Sequence, residues 1–396
     1  MFEVPKYWNR TCLGELAEII CSNVDKKTRQ APELAIKLCN YQEVYRNEWI
    51  TADLSFMTAT ATVSEISRFC VRQGDVIITK DSESPRDIAV SAYVTDRLTD
   101  VVCGYHLAII RPISTQLSGA YIHHLFGTSA IRTYYYLQAN GITRFGLTKP
   151  VMKAMPVTYP SLAEQQRIVN VLHAMDDLIQ VSQAQCKKLH HLRKGLLQSM
   201  LQPCLHMPEP GTDQSAITAD WSIRRLGDVV TLVYGKTCRQ PVTTYGHYPV
   251  LGANGVIGYT EDYLLEDVTI IIGRKGTINK PYYQEGRCWV IDTAFYIQDF
   301  QGVHPRWLYY VLIALDLSFY NEATGVPSLS RENLYGITYR QPPYAQQQQM
   351  ANTLSAIDRQ ITATEARLIH YRKLKQAIRH DLLTGRVLTQ SKPVVA

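Results

Sequence analysis

The chain has no run of about 18 consecutive apolar residues, so no segment reads as a membrane-spanning helix. Its nine cysteines stand singly, without a Cys-x-x-Cys pair or histidines at zinc spacing, which argues against a disulfide framework and against a structural metal. His123-His124 and His190-His191 are adjacent pairs on helical stretches, where neighbours point to different sides, and no metal is expected there either. Gly252-Ala253-Asn254-Gly255-Val256-Ile257-Gly258 is not a Gly-x-Gly nucleotide fingerprint, and Gly273 to Thr277 lacks the Walker spacing. No Ser-His-Asp or paired-carboxylate arrangement stands out. No cofactor is therefore expected. The opening Met1-Phe2-Glu3-Val4-Pro5-Lys6 lacks the basic flank, apolar stretch and cleavage site of an export signal, so the cytoplasm is the expected compartment. Charge is also modest, 19% of residues with a formal net of +6, which permits nucleic-acid binding without establishing it.

What the chain does have is length for more than one core and a text written twice. At 396 residues it divides most naturally into two or three domains. Ala163-Glu164-Gln165-Gln166, after Tyr159-Pro160, returns as Ala345-Gln346-Gln347-Gln348, after Gln341-Pro342, at an offset of 182. At that offset Asn170 meets Asn352, Asp176 meets Asp358 and Leu192 meets Leu374, with no gap across 39 residues. Upstream, Trp8 with Leu13-Gly14 answers Trp221 with Leu226-Gly227 at an offset of 213. The first copy thus holds 31 extra residues before its helix, a sign of common scaffolding and different cargo.

The repeated segments carry a heptad seam of Ile168, Leu172, Met175, Ile179, Leu189 and Leu196, with Cys186 and Met200 in the same series. The second copy has Met350, Leu354, Ile357, Ile361, Leu368 and Ile378. Both seams are interrupted at the same places, by Ser182 and Thr364 and by Arg193 and Lys375, and polar seam residues fix register or partner choice. At 39 residues each helix is expected to be about 58 Å long. Matched seams and a pseudo-twofold repeat predict that the two pack together antiparallel. The opposing expectation is that each helix merely covers its own domain.

Between these helices the chain alternates short β-rich runs with turns, such as Gly74 to Thr79, Leu107 to Ile110 and Val268 to Ile272, with helical patches at Ala120 to Leu125 and Pro305 to Leu315. The predicted class is α+β: two mixed α/β domains joined by two long antiparallel coiled-coil helices. The expected boundaries are a first domain at 1–160, a first spacer helix at 161–203, a linker at 204–220 marked by Pro203, Pro208 and Pro210-Gly211, a second domain at 221–342, a second spacer helix at 343–384, and a tail at 385–396. Two glycines let the cationic loop Gly273 to Lys280 approach another surface closely, and DNA phosphates suit it. Near the end of each domain, Gly141 to Lys149 and Gly325 to Arg331 both offer a glycine turn, hydroxyls and a cation. Arginine reads guanine bidentately while lysine and hydroxyls hold phosphates. The candidate DNA contacts are Lys80, Arg86, Arg144, Thr148 and Lys149 in the first domain. In the second they are Lys236, Arg239, Arg274, Lys275, Lys280, Ser328, Ser330 and Arg331.

Two variable blocks, each followed by a Pro-[Leu/Tyr]-Ala-x-Gln-Gln helix, resemble the specificity subunits of type I restriction-modification systems. The most specific pieces are Pro160 to Ile168, its copy at 342–350, the Trp-x4-Leu-Gly openings, and Tyr248-Pro249-Val250 through Gly255 to Tyr259. The resemblance implies two target-recognition domains, each binding half of a bipartite site in double-stranded DNA. It also implies helices that space them and carry two methyltransferase subunits, with restriction (translocase/nuclease) subunits joining the complex, and no catalysis by this chain. Two departures are an Ala-Gln-Gln-Gln-Gln start to the second helix and a poor match of residues 80–86 to the second half. The alternatives are a DNA methyltransferase with its own recognition domain and a coiled-coil protein-interaction scaffold. Gln341-Pro342-Pro343-Tyr344 superficially suggests the first. It has Gln where a methyltransferase needs Asn, Asp or Ser, and its repeat partner Tyr159-Pro160-Ser161-Leu162 lacks the motif, so a proline preceding the helix explains it better.

Overall fold

A computed structural model of the chain describes residues 5–205 and 220–389. The linker signals Pro208 and Pro210-Gly211 and the end of the tail lie outside the described residues. The chain divides into two units, residues 1–181 with 368–396, and residues 182–367. Among the described residues no helix is long and apolar enough to cross a membrane.

The first unit is built on a five-stranded sheet in the order Ala17–Cys21, Leu107–Pro112, Val76–Thr79, Ser91–Val94, Trp49–Ile50, antiparallel except for the last pair. Val76-Ile77-Ile78 is apolar at every position because both faces of this sheet are covered. Successive side chains alternate between faces. Val76, Ile78, Ala108 and Ile110 join one core, while Ile77, Leu107 and Ile109 join another with a three-stranded sheet of Met57–Ala61, Leu34–Cys39 and Val101–Cys103.

The second unit repeats the plan. Its four-stranded sheet runs Thr231–Tyr234, Ala294–Gln298, Thr269–Gly273, Tyr282–Gln284, with Ile270 and Ile272 on one core and Ile271 on the other. In both units the strand after the opening tryptophan pairs antiparallel with the strand leading into the long helix, Asn9–Cys12 with Pro156–Tyr159 and Ser222–Arg225 with Thr338–Gln341. The Leu-Gly of each opening follows at once. Leu13 N–H donates to Met155 O and Leu226 N–H to Ile337 O, both buried, and a Cβ on Gly14 or Gly227 would stand within 2.9 Å of the Lys153 or Tyr335 side chain.

The long helices are Leu162–Leu205 and Tyr344–Leu383. Each unit contains part of both. In the first unit Ile168, Val169 and Leu172 of one helix share a core with Ile378, Leu382 and Leu383 of the other. In the second unit Leu196, Met200, Leu201 and Cys204 share a core with Met350, Ala351 and Leu354. In each, residues late in one helix meet residues early in the other, which is antiparallel packing. Each helix also completes the core of a sheet domain, so the two opposed expectations are both partly met. Pro203, counted among the linker signals in the sequence, lies inside the first helix, which runs on to Leu205, past the expected boundary at 203. An interior proline costs about 3 kcal/mol, and the full burial of Leu201 and Cys204 around it supplies an offset of similar order. The second helix ends at Leu383, and Gly385 follows at φ +71°.

Candidate nucleic-acid interface

In the first unit the central strand ends at Thr79, and the next residues pair with the loop before the long helix, Asp81–Ser82 against Phe145–Gly146. Leu147 N–H donates to Lys80 O at 2.8 Å. Gly141, at φ +147°, makes the turn that returns this loop, and a Cβ there would overlap Arg144 O. Arg144 is therefore held out at the rim, exposed, 3.6 Å from Asp81 and 3.4 Å from His106 Nε2. Asp81 accepts from His106 Nδ1 at 2.5 Å. Arg86 and Lys149 are exposed. Thr148 caps the short helix Lys149–Lys153 by accepting from Val151 N–H. Lys80 is turned inward, donating to Ser22 O at 2.7 Å and lying over the Tyr105 ring, so it braces the loop rather than projecting from it.

Beside this loop opens a cleft of about 890 Å³. Sequence reasoning missed most of its lining: Lys26, Lys27, Tyr41, Tyr45, Arg46, Tyr105 and His106. Tyr41 and Tyr45, one turn apart on the helix Tyr41–Arg46, stack with ring centroids 5.4 Å apart. The i, i+4 tyrosines and the Lys26-Lys27 pair were the available signals. The cleft is mixed in charge, with Asp25, Asp81, Glu83 and Asp87 facing Lys26, Lys27, Arg46 and Arg144. Two of these carboxylates are already engaged, Asp25 by Arg29 at 2.6 Å and Asp81 by His106. A backbone N–H of Lys27 and the Arg29 guanidinium hold the Asp25 carboxyl below its ordinary range.

The second unit builds the same junction. Leu329 N–H donates to Arg274 O at 2.9 Å, and Leu329 stands to the second helix as Leu147 stands to the first. Gly276 N–H donates to Pro327 O, and Lys275 bridges Ser328. Gly273 is required because a Cβ would strike Thr277 O. The guanidinium groups of Arg274 and Arg331 lie over the half-exposed ring of Tyr234, at 5.1 and 4.9 Å from its centroid. Lys236, Arg239, Lys275 and Lys280 are exposed, and Ser328 is half-buried. Ser330 is used structurally, accepting from Asn333 N–H and donating to Glu322. Tyr234 was not singled out from the sequence. Thus Arg274, Lys275, Ser328 and Arg331 come together, while Lys236 and Arg239 follow the strand that carries Tyr234.

The glutamines after each helix start have one task in both units. Gln165 donates to Gln116 O at 2.7 Å and Pro160 O at 2.9 Å, and accepts from Ser118 N–H. Gln347 donates to Pro342 O at 2.8 Å and accepts from His304 N–H at 2.8 Å. Ser118 and His304 are the N-caps of Gly119–Phe126 and Pro305–Ala314. Gln341 of the Gln-Pro-Pro-Tyr stretch donates to Gly302 O and lies buried, a structural role.

The seam residues split by position. Ile168, Leu172, Met175, Leu354 and Ile361 are buried, while Ile179, Leu189, Leu196, Met350, Ile357, Leu368 and Ile378 are half-buried. The two cations interrupting the seams make equivalent ion pairs. Lys375 binds Asp176 in the first unit, and Arg193 Nε binds Asp358 at 2.5 Å in the second, each partner lying 182 residues from its counterpart.

The family model described as type I restriction modification DNA specificity domain matches this chain twice, over residues 5–191 and 218–370. The chain belongs to that family. A putative type I restriction enzyme MjaX specificity subunit of Methanocaldococcus jannaschii is 19% identical over 97% of this chain and 95% of its own length. The MjaVIII specificity subunit of the same organism is 24% identical over 60% of this chain and 64% of its own. Among solved structures, the S subunit of a type I restriction-modification system from M. genitalium superposes with a TM-score of 0.64 over 99% of both chains at 12% identity. A chain from a structure concerned with complex assembly and conformational transition of the type I R-M system does so at 0.57, 16% identical, over 98% of this chain and all of that one. At these identities the superpositions speak to the fold.

Proposed function

We propose that each unit reads one half of a bipartite site in double-stranded DNA, that the paired helices set the unread spacer between the halves, and that they dock two methyltransferase subunits. Restriction subunits then complete a cytoplasmic assembly in which this chain supplies recognition and no chemistry. The observation that carries this is the junction built twice: in both units the loop after the central strand is bonded to the loop before the long helix, at equivalent residues, and both set arginines and lysines beside tyrosine rings, Arg144 exposed and Arg274 and Arg331 half-buried. A fixed backbone that carries guanidinium groups at the junction suits base-edge reading, and the exposed lysines suit phosphates.

The test is base-methylation mapping of host DNA with the assembled enzyme. Arg274→Ala with Arg331→Ala should relax only one half-site, at about 1–3 kcal/mol of discrimination per lost bidentate contact. Arg144→Ala should affect only the other. Each variant of the exposed lysines Lys149, Lys236, Lys275 and Lys280 should weaken binding evenly across sequences and lower the salt slope by about one. Relaxation of both half-sites by one arginine variant would refute separate reading.

A further inference from the structure

We propose that Cys186, His190 and Glu365 form a binding site for a single zinc-class divalent cation that clips the two long helices together within the second unit. Cys186 and His190 stand at i and i+4 on the first helix, on one face, and Glu365 reaches them from the second. Their ligating atoms all lie within 4.8 Å of one another. Glu365 Oε1 is 3.1 Å from His190 Nε2 and 4.0 Å from Cys186 Sγ. Around a tetrahedral zinc, with usual bond lengths, these ligand-to-ligand edges are about 3.3–3.6 Å, so the two Glu365 edges change by a few tenths of an ångström and the Cys186–His190 edge by about 1 Å at most to close on the ion. Thiolate, imidazole and carboxylate together select a borderline-soft ion over magnesium or calcium, and the fourth position is left to water. His190 and Glu365 are about half exposed, which gives an ion a route in from solvent.

The repeat sharpens the case. At the offset of 182 the counterparts of Cys186, His190 and Glu365 are Leu368, Arg372 and Gln183, none of which matches the ligand found at its twin. The seam keeps an apolar leucine where the first helix has cysteine. Three ligand-bearing residues thus meet at one of two otherwise matched places, one turn from the Arg193–Asp358 pair that holds the helices in register. No zinc spacing was visible in the sequence because the third ligand lies 175 residues from the second. A metal here competes with protons for the thiol and imidazole, and its binding adds to the stability of the helix pair.

The experiment uses the untagged full-length chain, stripped with chelator and titrated with cobalt(II) and then zinc(II). One cobalt per chain is expected, with thiolate-to-cobalt charge-transfer absorption that zinc bleaches. Cys186→Ser should abolish that absorption, and His190→Gln and Glu365→Gln should each weaken affinity at least tenfold. His191→Gln, on the neighbouring residue, should leave it unchanged. Zinc should raise the unfolding temperature of the wild type and not that of Cys186→Ser, with circular dichroism showing that every variant is folded. The proposal is overturned if the wild type shows no charge-transfer band, if the band survives Cys186→Ser, or if Glu365→Gln binds as tightly as wild type.

Discussion

At the scale of single residues, the two units answer one structural question in different ways. Ser118 and His304 are equivalent N-caps, so His124 in the first unit stands where Tyr310 stands in the second, and His173 where Ser355 stands. Tyr310 donates to Asp358 Oδ2 at 2.8 Å, and its oxygen lies in hydrogen-bond contact with the Ser355 hydroxyl at 3.2 Å. In the first unit neither ring nitrogen of His124, nor His173 Nε2, nor Asp176 Oδ2 has a hydrogen-bond partner among the described residues. These histidines pack with His123 around Trp49, at 4.7–6.1 Å. Burial pushes His123 down from its ordinary 6.5 to about 3, and lowers His124 and His173 as well. Glu48 opposes that shift in His123, while Arg379 and Lys375 reinforce it. For a depressed group the unfolded chain takes up the proton first as pH falls. Stability is therefore full above about pH 6.5 and is lost on acidification, at about 1.4 kcal/mol per pH unit for each fully buried histidine. By pH 5, His123 should have cost the first unit about 2 kcal/mol, and His124 adds a loss of the same sign. Urea melts at pH 7 and pH 5 measure this, and a His124→Tyr/His173→Ser variant, carrying the second unit's arrangement, should lose less. An equal loss in wild type and variant would sink the assignment. Gln165 is the other residue whose role is set by distant partners. Replacing it with Leu strands two carbonyls and the Ser118 N–H, and Gln347→Leu strands the Pro342 carbonyl and the His304 N–H. Each should cost about 2–4 kcal/mol in chemical denaturation, since every abandoned buried group costs 1–3 kcal/mol.

At the scale of the helices, the equivalent ion pairs are not equal in consequence. Lys375 is buried between Asp176 and Glu48, donating to Glu48 at 2.6 Å. Burial raises the Asp176 carboxyl even with Lys375 beside it, whereas at Glu48 burial is opposed by the Lys375 charge and hydrogen bond together with Arg379, which jointly keep it low. Lys375→Met leaves Asp176 desolvated and unpaired, and should cost about 3–5 kcal/mol. Arg193→Met should cost about 1 kcal/mol, because that pair is partly open to solvent and Tyr310 still holds Asp358. Comparable losses in the two variants would show that burial does not separate them. The sequence displayed these helices well, since a heptad and a fixed offset are local properties, and it displayed Arg193 and Lys375 as seam interruptions. It did not display their partners. Asp176 and Asp358 were visible only as a matched pair of the repeat, because which residue faces which depends on the antiparallel register. The cationic glycine loops were legible for the same local reason. His106, Tyr41, Tyr45 and Tyr234 were not, because strand order brings them beside those loops from far along the chain. Pro203 misled because local propensity ends a helix there, while Leu201 and Cys204 are buried in a core that local propensity does not register.

At the scale of the whole molecule, the repeat supplies a way to test the proposed spacer role without disturbing either proposed reading surface. Asp176 and Lys375 both lie in the first unit, and Arg193 and Asp358 both lie in the second. The points midway between Asp176 and Arg193, and between Asp358 and Lys375, fall after Ala184 and after Ala366, which are matched residues of the repeat. Four residues inserted at both points, about 6 Å of helix, leave both ion pairs intact, along with Cys186, His190 and Glu365. Neither sheet domain is touched. A spacer role then requires methylation mapping of the assembled enzyme to return both half-sites unchanged with a longer unread gap between them. Insertion into one helix alone removes the match of the two segments and should instead lower stability and activity together. An unaltered gap in the doubly inserted enzyme, with methylation preserved, would mean that something other than these helices measures the distance between the half-sites.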